Sequence, residues 1–333
     1  MRHLAFLALT ILASACASAP PPIPPDPFEQ GGIASPAALQ VREVGDEIII
    51  CGERVSTGAP VVLWSDPGGY DGYDTRIRPE TAPDYVEAES GRRYRPGRTR
   101  GDRTISANSR DSALLATLVD QFVLHFDVCG VSSTCFRVLH HQRGLSAHFL
   151  LDVDGTIYQT LDVRETAWHA TKANARSIGI EIAHIGSRLP DGVAVFDEWY
   201  STDEQGVYLD LPERLGDGGV RTPNFRGRPA RPGLHTGRIN GSRLLQYDFT
   251  PEQYDSLARL CAALSAKLPR IELRFPRAAR GEVLADVMDD RDFEGFSGIL
   301  GHYHVQLNKV DPGPAFDWTR LQREARAYLE GRL

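Results

Sequence analysis

The segment at residues 177–183, SIGIEIA, constrains the fold of this chain more than any other. Ile178, Ile180 and Ile182 fall on one face of an extended strand, and Glu181 falls on the other. Successive side chains of a strand point to opposite faces, so this pattern needs an apolar core on one side only. It predicts a strand in a sheet whose second face carries a carboxylate.

Two further stretches predict strands. Residues 147–161 carry a hairpin signal, because two β-like runs flank the dipeptide Asp154-Gly155. Residues 122–124, FVL, form an apolar strand that runs directly into His125. A side chain at the end of such a strand is held rigidly at the edge of the sheet, which makes His125 a candidate functional residue.

Helices are predicted over residues 113–121 and 318–329 and after residues 250–253. The last of these segments, TPEQ, is a capping box with proline at the first helical position. Strands that alternate with helices favour an α/β fold with a mixed central sheet flanked by helices, over about residues 112–333. β-like runs within residues 41–111 predict an N-terminal extension that is rich in strands.

The N-terminus has the three-part layout of a secretory signal. A basic start leads into an apolar run over residues 4–13, and small residues precede Cys16. The apolar run is too short to span a bilayer. The layout predicts that residues 1–16 are a signal peptide with a lipobox and that Cys16 is lipidated. Ordinary cleavage after Ala15 or Ala17 is the alternative.

Residues 17–40 predict a stiff spacer, because six prolines fall within residues 20–27. Together with a lipidated Cys16, this spacer predicts an exported, periplasmic protein that is anchored to the membrane through an N-terminal lipid. Such a tether would hold the folded part of the chain off the membrane, toward the cell wall.

The charge balance limits the partners of this chain. Lysine and arginine number 37 against 44 aspartate and glutamate residues, a net charge of −7 at pH 7. This balance excludes the broad positive field that nucleic acid binding needs. Arginines are nevertheless concentrated at Arg92, Arg93, Arg95, Arg98, Arg100 and Arg103. The segment 91–103 is interpreted as a solvated loop or, alternatively, as a patch that faces an anionic cell-wall polymer.

Two histidines and one aspartate from separate elements form a candidate metal site. His125 ends a strand, and His302 precedes Asp311 near the end of the chain. Two imidazoles and one carboxylate leave the fourth position of a tetrahedral zinc ion open, which is typical of catalytic rather than structural zinc. Most single histidines are core or surface residues, so the prediction depends on the fold bringing these elements together.

Several ordered motifs resemble one known family. They are SAHFLLD at residues 146–152, DGTIYQ at 154–159, AWHA at 167–170, SIGIE at 177–181, Gly301-His302 and KVDPGPAFDW at 309–318. Together they resemble the type-2 N-acetylmuramoyl-L-alanine amidases, which are related to peptidoglycan recognition proteins and amidase-type phage lysozymes. The resemblance covers roughly residues 112–325. It is interrupted by residues 186–246, an insertion with little predicted regular structure that is not typical of a minimal amidase.

The resemblance implies an activity and a set of site residues. The activity is zinc-dependent hydrolysis of the amide between N-acetylmuramic acid and L-alanine, in peptidoglycan or muropeptides. The family's ligands for one Zn²⁺ per chain fall on His125, His302 and Asp311. Its acid–base carboxylate falls on Glu181, and its electrophilic lysine falls on Lys309.

Other residues of the motifs have less specific expectations. His148, Trp168 and His169 lie on the family's motifs but not on its ligand positions. They are expected to pack or orient neighbours, or to contact a metal ligand or the substrate. In peptidoglycan recognition proteins a short-loop disulfide follows the first ligand, so the resemblance implies a bond between Cys129 and Cys135. Sulfur ligation of zinc is the alternative for these two cysteines.

Two other functions stay open from the sequence. One is a catalytically silent module that binds peptidoglycan, and the other is a zinc peptidase that cuts within the stem peptide. The presence of Asp311 with both histidines favours the amidase, because relatives that only bind peptidoglycan typically lose a zinc ligand.

Overall fold

The computed structural model describes residues 44–76 and 92–333. The predicted signal peptide, the lipidation site Cys16 and the spacer at residues 17–40 lie outside the described residues, and so do residues 77–91. Within the described part of the chain, no helix is both long enough and apolar enough to cross a membrane.

The described residues form mostly short elements. The strands are β1 (Gly45–Ile50), β2 (Glu53–Leu63), β3 (Tyr94–Arg95), β4 (Arg98–Arg100), β5 (Arg103–Ile105), β6 (Gln121–Phe126), β7 (Phe149–Leu151), β8 (Ile157–Gln159), β9 (Thr166–Ala167), β10 (Ser177–Ile182), β11 (Tyr200–Asp203), β12 (Gly206–Leu209), β13 (His235–Ile239), β14 (Ser242–Gln246) and β15 (Gly298–Gly301). The α-helices are α1 (Ser112–Leu118), α2 (Ser132–Phe136), α3 (Pro251–Lys267), α4 (Asp290–Gly295), α5 (His302–Val305) and α6 (Trp318–Leu329). A π-helical turn covers Arg137–Gln142, and 3₁₀ turns cover Thr171–Ala173, Pro190–Glu198 and Glu213–Leu215.

The central sheet contains seven strands in the order β1-β2-β8-β7-β10-β6-β15. Strands β7, β10, β6 and β15 run parallel, whereas β8 is antiparallel to β7 and β1 is antiparallel to β2. Strand β2 pairs with β8, so strands of the N-terminal extension lie in the same sheet as the later strands. The mixed sheet with flanking helices confirms the predicted fold class, and the predicted N-terminal strands are present.

One face of the sheet is buried beneath helices. Ile178, Ile180 and Ile182 of β10 are at most 1% exposed and belong to the main apolar core. Residues of α3 and α6 pack in the same core, among them Leu257, Leu264, Trp318 and Leu321. Burial of side chains of this size contributes about 1.5–3 kcal/mol each. The predicted alternation in β10 is therefore confirmed, and Glu181 is left on the opposite face.

Helix α3 begins at the predicted capping box. The Thr250 hydroxyl oxygen accepts a hydrogen bond from the Gln253 backbone N–H at 3.1 Å, and Gln253 Oε1 accepts one from the Thr250 N–H at 3.0 Å. The final helix α6 covers the predicted residues, and the Asp317 carboxylate caps its first turn by accepting from the Arg320 N–H. Caps of this kind satisfy backbone donors that the helix itself leaves free.

Helix α1 is shorter than predicted and ends at Leu118. The sequence pattern extended it to Gln121, but Gln121 begins strand β6 and is fully buried. Its side-chain amide donates to the carbonyl oxygens of Phe293 and Phe296, at 3.3 and 3.1 Å. These contacts with α4 and the residue after it hold Gln121 in the sheet, and a local pattern could not reveal them.

The insertion at residues 186–246 has more regular structure than predicted. Strands β11 and β12 form one hairpin, and β13 and β14 form another. The second hairpin turns at Asn240-Gly241, and both residues have positive φ, 47° and 79°. Asn-Gly is the preferred dipeptide of a two-residue hairpin turn, because both positions adopt the left-handed conformation at low cost. The expectation of little regular structure was wrong because this turn signal was overlooked.

The arginine-rich segment is not a solvated loop throughout. Arg93 is fully buried and Arg98 is 1% exposed. Arg93 donates to the backbone carbonyls of His140 and Asp74, at 3.0 and 3.1 Å. Arg98 also donates to backbone carbonyls. Both loop interpretations are therefore wrong for these two side chains, because their guanidinium groups bind protein backbone rather than solvent or a polymer.

Candidate metal site and active-site cleft

The candidate metal ligands meet at the carboxyl ends of two parallel strands. His125 lies near the end of β6, His302 directly follows β15, and Asp311 lies in the loop that follows α5. His125 Nδ1 is 2.9 Å from both His302 Nδ1 and Asp311 Oδ2, and His302 Nδ1 is 3.0 Å from Asp311 Oδ2. All three residues are at most 7% exposed. The fold thus brings the predicted set together across about 180 residues of sequence.

The chemistry of these three groups fits a metal ion such as zinc. His302 Nε2 donates a hydrogen bond to Gln306 Oε1 at 2.7 Å, which leaves the lone pair of Nδ1 facing the site. Burial and the neighbouring His302 lower the pKa of His125 to about 4, so His125 is neutral, as ligation requires. Burial opposes ionisation of Asp311, but His302 and His125 hold the pKa of this carboxyl below its ordinary value. Two neutral imidazoles and one carboxylate are a typical zinc donor set.

Glu181 and Lys309 face the same cleft as the candidate ligands. The cleft has a volume of about 460 Å³ and is lined by both residues together with His125, His302 and Asp311. Glu181 of β10 is paired in register with His125 of β6. Burial, and then the nearby Asp311, raise the pKa of Glu181 well above its ordinary value. Burial therefore makes Glu181 a stronger proton acceptor than an exposed carboxylate, which suits a group that takes up and returns a proton during a reaction.

The insertion holds the loop that carries Lys309. The side-chain amide of Asn240 donates to the Lys309 carbonyl at 2.9 Å and lies 3.3 and 3.4 Å from the carbonyls of Tyr303 and Gln306. Asn240 also accepts a hydrogen bond from the Val287 N–H at 2.7 Å. Sequence reasoning missed this residue, and the Asn-Gly turn was the signal that could have found it.

The three motif residues without assigned roles occupy different positions. Trp168 and His169 line the cleft, whereas His148 is fully buried. His169 Nδ1 lies 3.0 Å from His125 Nε2, so His169 contacts a candidate ligand directly. His148 Nδ1 accepts a hydrogen bond from the Gly179 N–H at 3.1 Å and orders the backbone of β10.

The disulfide predicted between Cys129 and Cys135 is not formed in the structure. Both residues are free thiols that line the cleft. Burial raises the pKa of Cys135 well above its ordinary value, which keeps it a thiol rather than the reactive thiolate. Neither cysteine belongs to the His125, His302 and Asp311 cluster.

A buried carboxylate that sequence reasoning missed shapes the loop after His125. Asp127 Oδ1 accepts hydrogen bonds from the backbone N–H groups of Cys129, Gly130 and His184, at 2.9, 3.0 and 3.1 Å. Burial raises the pKa of Asp127 to about 7. Asp127 therefore ties the wall of the cleft to the end of β10, and its position two residues after His125 was the available signal.

Comparisons with known proteins identify a family and several similar solved structures. A family model described as N-acetylmuramoyl-L-alanine amidase matches residues 116–314. Similar solved structures include a selenomethionine derivative of AmpD, with 18% identity, a TM-score of 0.32 and coverage of 77% of this chain and 98% of that chain. AmiD from E. coli, solved with anhydro-N-acetylmuramic acid-L-Ala-D-gamma-Glu-L-Lys, has 16% identity, a TM-score of 0.34 and coverage of 68% and 65%. The endolysin amidase LysCS from Clostridium intestinale URNW has 15% identity, a TM-score of 0.30 and coverage of 64% and 86%.

No curated protein matches the chain. The family assignment rests on the family model, which spans more than half of the chain and includes five residues of the cleft described above: His125, Glu181, His302, Lys309 and Asp311. The chain belongs to the N-acetylmuramoyl-L-alanine amidase family.

Proposed function

We propose that this protein is a zinc-dependent amidase that hydrolyses the bond between N-acetylmuramic acid and L-alanine in peptidoglycan or muropeptides. One observation carries the proposal: His125, His302 and Asp311 converge in the same cleft as Glu181 and Lys309. Amide hydrolysis needs an electrophilic centre, a group that moves a proton and a cation near the developing oxyanion. These residues supply all three within one cavity.

The residues divide the reaction between them. His125, His302 and Asp311 would hold the zinc ion, which would supply Lewis acidity toward the substrate carbonyl. The Glu181 carboxylate accepts a proton from the attacking water and returns it to the nitrogen of the leaving L-alanine. The Lys309 ammonium, which is half-buried at the rim, stabilises the negative charge that develops on the carbonyl oxygen.

A digestion experiment tests this function. Purified sacculi are incubated with zinc-loaded protein, and the released fragments are identified by mass spectrometry. The proposal predicts free stem peptides that begin with L-alanine, released about 10²–10⁴-fold more slowly by the Glu181→Gln variant. Fragments cut within the stem peptide would instead show a zinc peptidase. Binding to sacculi without any release would show a silent recognition module.

We also propose that the protein is exported and anchored through a lipid on Cys16. The support is the order of basic, apolar and small residues before Cys16 and the prolines that follow it. Wild-type protein should fractionate with membranes, and Cys16→Ser should be released or left unprocessed. A periplasmic wild-type protein with an unmodified N-terminus would contradict the anchor while leaving the amidase proposal intact.

A further inference from the structure

Arg98 is a buried cation that precedes the region matched by the family model. Its guanidinium donates to three backbone carbonyls: Val163 at 3.1 Å, Asn174 at 3.1 Å and Ser177 at 2.8 Å. Its Nη2 also packs 2.8 Å from His148 Nε2, which carries the ring proton and donates it to the Glu165 carbonyl at 3.0 Å, because His148 Nδ1 accepts from Gly179. Burying a guanidinium is costly unless its donors are used, and these contacts use several of its five N–H groups.

Asn174 and Ser177, whose carbonyls accept hydrogen bonds from Arg98, also contact His169 through their side chains. The Asn174 side-chain oxygen accepts hydrogen bonds from the backbone N–H groups of His169 and Ala170, at 3.2 and 2.8 Å. The Ser177 hydroxyl lies 3.2 Å from His169 Nε2. Arg98 therefore fixes both the backbone and the outer ring nitrogen of His169 through one intermediate residue each.

His148, which Arg98 also contacts, holds the β10 backbone against which the His169 ring packs. His148 Nδ1 accepts a hydrogen bond from the Gly179 N–H at 3.1 Å. A Cβ atom at Gly179 would lie 2.6 Å from the His169 ring, so the ring rests directly on this backbone. The His169 ring therefore packs against residues 177–179 of β10. Arg98 binds the Ser177 carbonyl of this segment, and His148 binds its Gly179 N–H.

His169 in turn contacts a candidate metal ligand. Its Nδ1 lies 3.0 Å from His125 Nε2, and the other nitrogen of His125, Nδ1, faces His302 and Asp311. When Nδ1 of His125 binds a metal, Nε2 carries the proton and donates it to His169. Partners of this kind set the orientation and basicity of a ligating imidazole.

We propose that Arg98 is a positioning residue for the metal site and acts on His125 through His169. The N-terminal segment would then complete a site whose ligands all lie in the amidase domain. The proposal rests on the proposed metal site. Arginine suits this position because its planar fork reaches several carbonyls at once, whereas a lysine ammonium would satisfy fewer of them.

The test is the zinc dissociation constant, measured by competition with a chromophoric chelator. Arg98→Lys should weaken zinc binding by up to about 10-fold, because it displaces His169, and losing the outer partner of a ligating histidine outright costs about 10–100-fold. The matched control is Arg93→Lys, which changes a second buried arginine of the same segment that donates to the carbonyls of His140 and Asp74. The control should lower the melting temperature and leave zinc affinity unchanged.

A double-mutant cycle separates positioning from general destabilisation. In a His169→Gln background the route from Arg98 to His125 is already broken, so adding Arg98→Lys should change zinc affinity by less than about 2-fold. Equal losses from Arg98→Lys in both backgrounds would overturn the proposal, and so would an effect no larger than that of Arg93→Lys. A wild-type protein that binds no zinc would instead contradict the metal site itself.

Discussion

A buried carboxylate lies at each end of the parallel strands, and the two differ in their hydrogen-bond partners. At the amino end, Asp120 is fully buried, and its two oxygens accept hydrogen bonds from Arg100, Arg176 and Arg270 at 2.8–2.9 Å. At the carboxyl end, Asp152 follows β7 and is also fully buried. Its Oδ1 accepts from backbone N–H groups, but its Oδ2 has no hydrogen-bond partner among the described residues.

This difference separates stability from function along one sheet. A buried carboxylate with three arginine partners is satisfied, and it ties the strands to the surrounding loops. A buried polar atom that lacks a partner costs about 1–3 kcal/mol, and among the described residues such atoms occur at both ends: Asp152 Oδ2 at the carboxyl end and Gln121 Oε1 at the amino end. The carboxyl end also holds Glu181, whose pKa is raised by burial, and the three candidate ligands. Substitutions at the amino end of the strands should therefore change stability alone. Substitutions at the carboxyl end, among the cleft residues, should change activity.

Glu181→Gln should have the largest effect of these variants, and it should lower turnover without lowering stability. Without a group that accepts the proton of the attacking water, turnover should fall by about 10²–10⁴-fold. Zinc content and melting temperature should stay near those of wild type, because glutamine has the same shape. The measurement is release of stem peptides under saturating zinc, and wild-type turnover would move the base elsewhere in the cleft.

Asp120→Ala should have a comparable effect on stability alone. Removing this carboxylate leaves three arginines at the amino end without their shared partner, two of them partly exposed. Loss of one member of a buried ion pair costs about 3–5 kcal/mol. Denaturant unfolding should show that loss, while zinc affinity of the folded protein stays unchanged. If zinc affinity falls in parallel, the two ends of the sheet are not separable.

The pH dependence of the unfolding free energy tests whether Asp152 is buried without a partner for its second oxygen. Burial raises the pKa of Asp152 to about 7 from an ordinary 3.8, so the native state binds this proton more tightly than the unfolded chain does. The contribution of this group to the free energy of unfolding should therefore fall as pH rises from about 4 to 7, by about 1.4 kcal/mol per pH unit, and stay flat above.

Asp152→Asn should remove this slope. The difference in unfolding free energy between wild type and variant, measured by denaturant titration, should change by about 2–3 kcal/mol between pH 5 and pH 7. A difference that does not change with pH would mean that Asp152 titrates normally, and the contrast with Asp120 would then fail.

Asn240→Gly should have the smallest effect. Glycine tolerates the positive φ of Asn240, so the variant removes the side-chain contacts with the Lys309 loop without straining the turn. Stability should fall by about 1–2 kcal/mol from the lost hydrogen bonds, and turnover should fall with it. Ser242→Ala in the same hairpin is the control. Equal effects of both variants on turnover would show that Asn240 does not order the Lys309 loop.

The residues of the candidate site could be predicted from the sequence more fully than the residues that hold them in place. The alternation of β10 placed Glu181 on the polar face from local pattern alone. His125, His302 and Asp311 depended on family resemblance, because no local pattern joins residues so far apart. The burial of Arg98 could not be predicted, since an arginine among glycine and proline residues resembles a solvated one until the fold supplies carbonyls around it. The contact of Asn240 with the Lys309 loop likewise depends on tertiary packing.

The proposed metal site at the carboxyl end of the sheet can be tested by measuring the zinc content of the protein. Wild type, His302→Ala and His304→Asn would be dialysed against trace zinc and measured by elemental analysis. His304 is a matched control, because it is a buried histidine of the same helix whose ring nitrogens contact the Gly301 N–H and the Leu284 carbonyl rather than the candidate ligands. We expect one zinc per chain in wild type and His304→Asn, and none in a folded His302→Ala. Wild-type zinc content in His302→Ala, or no zinc in wild type, would contradict it.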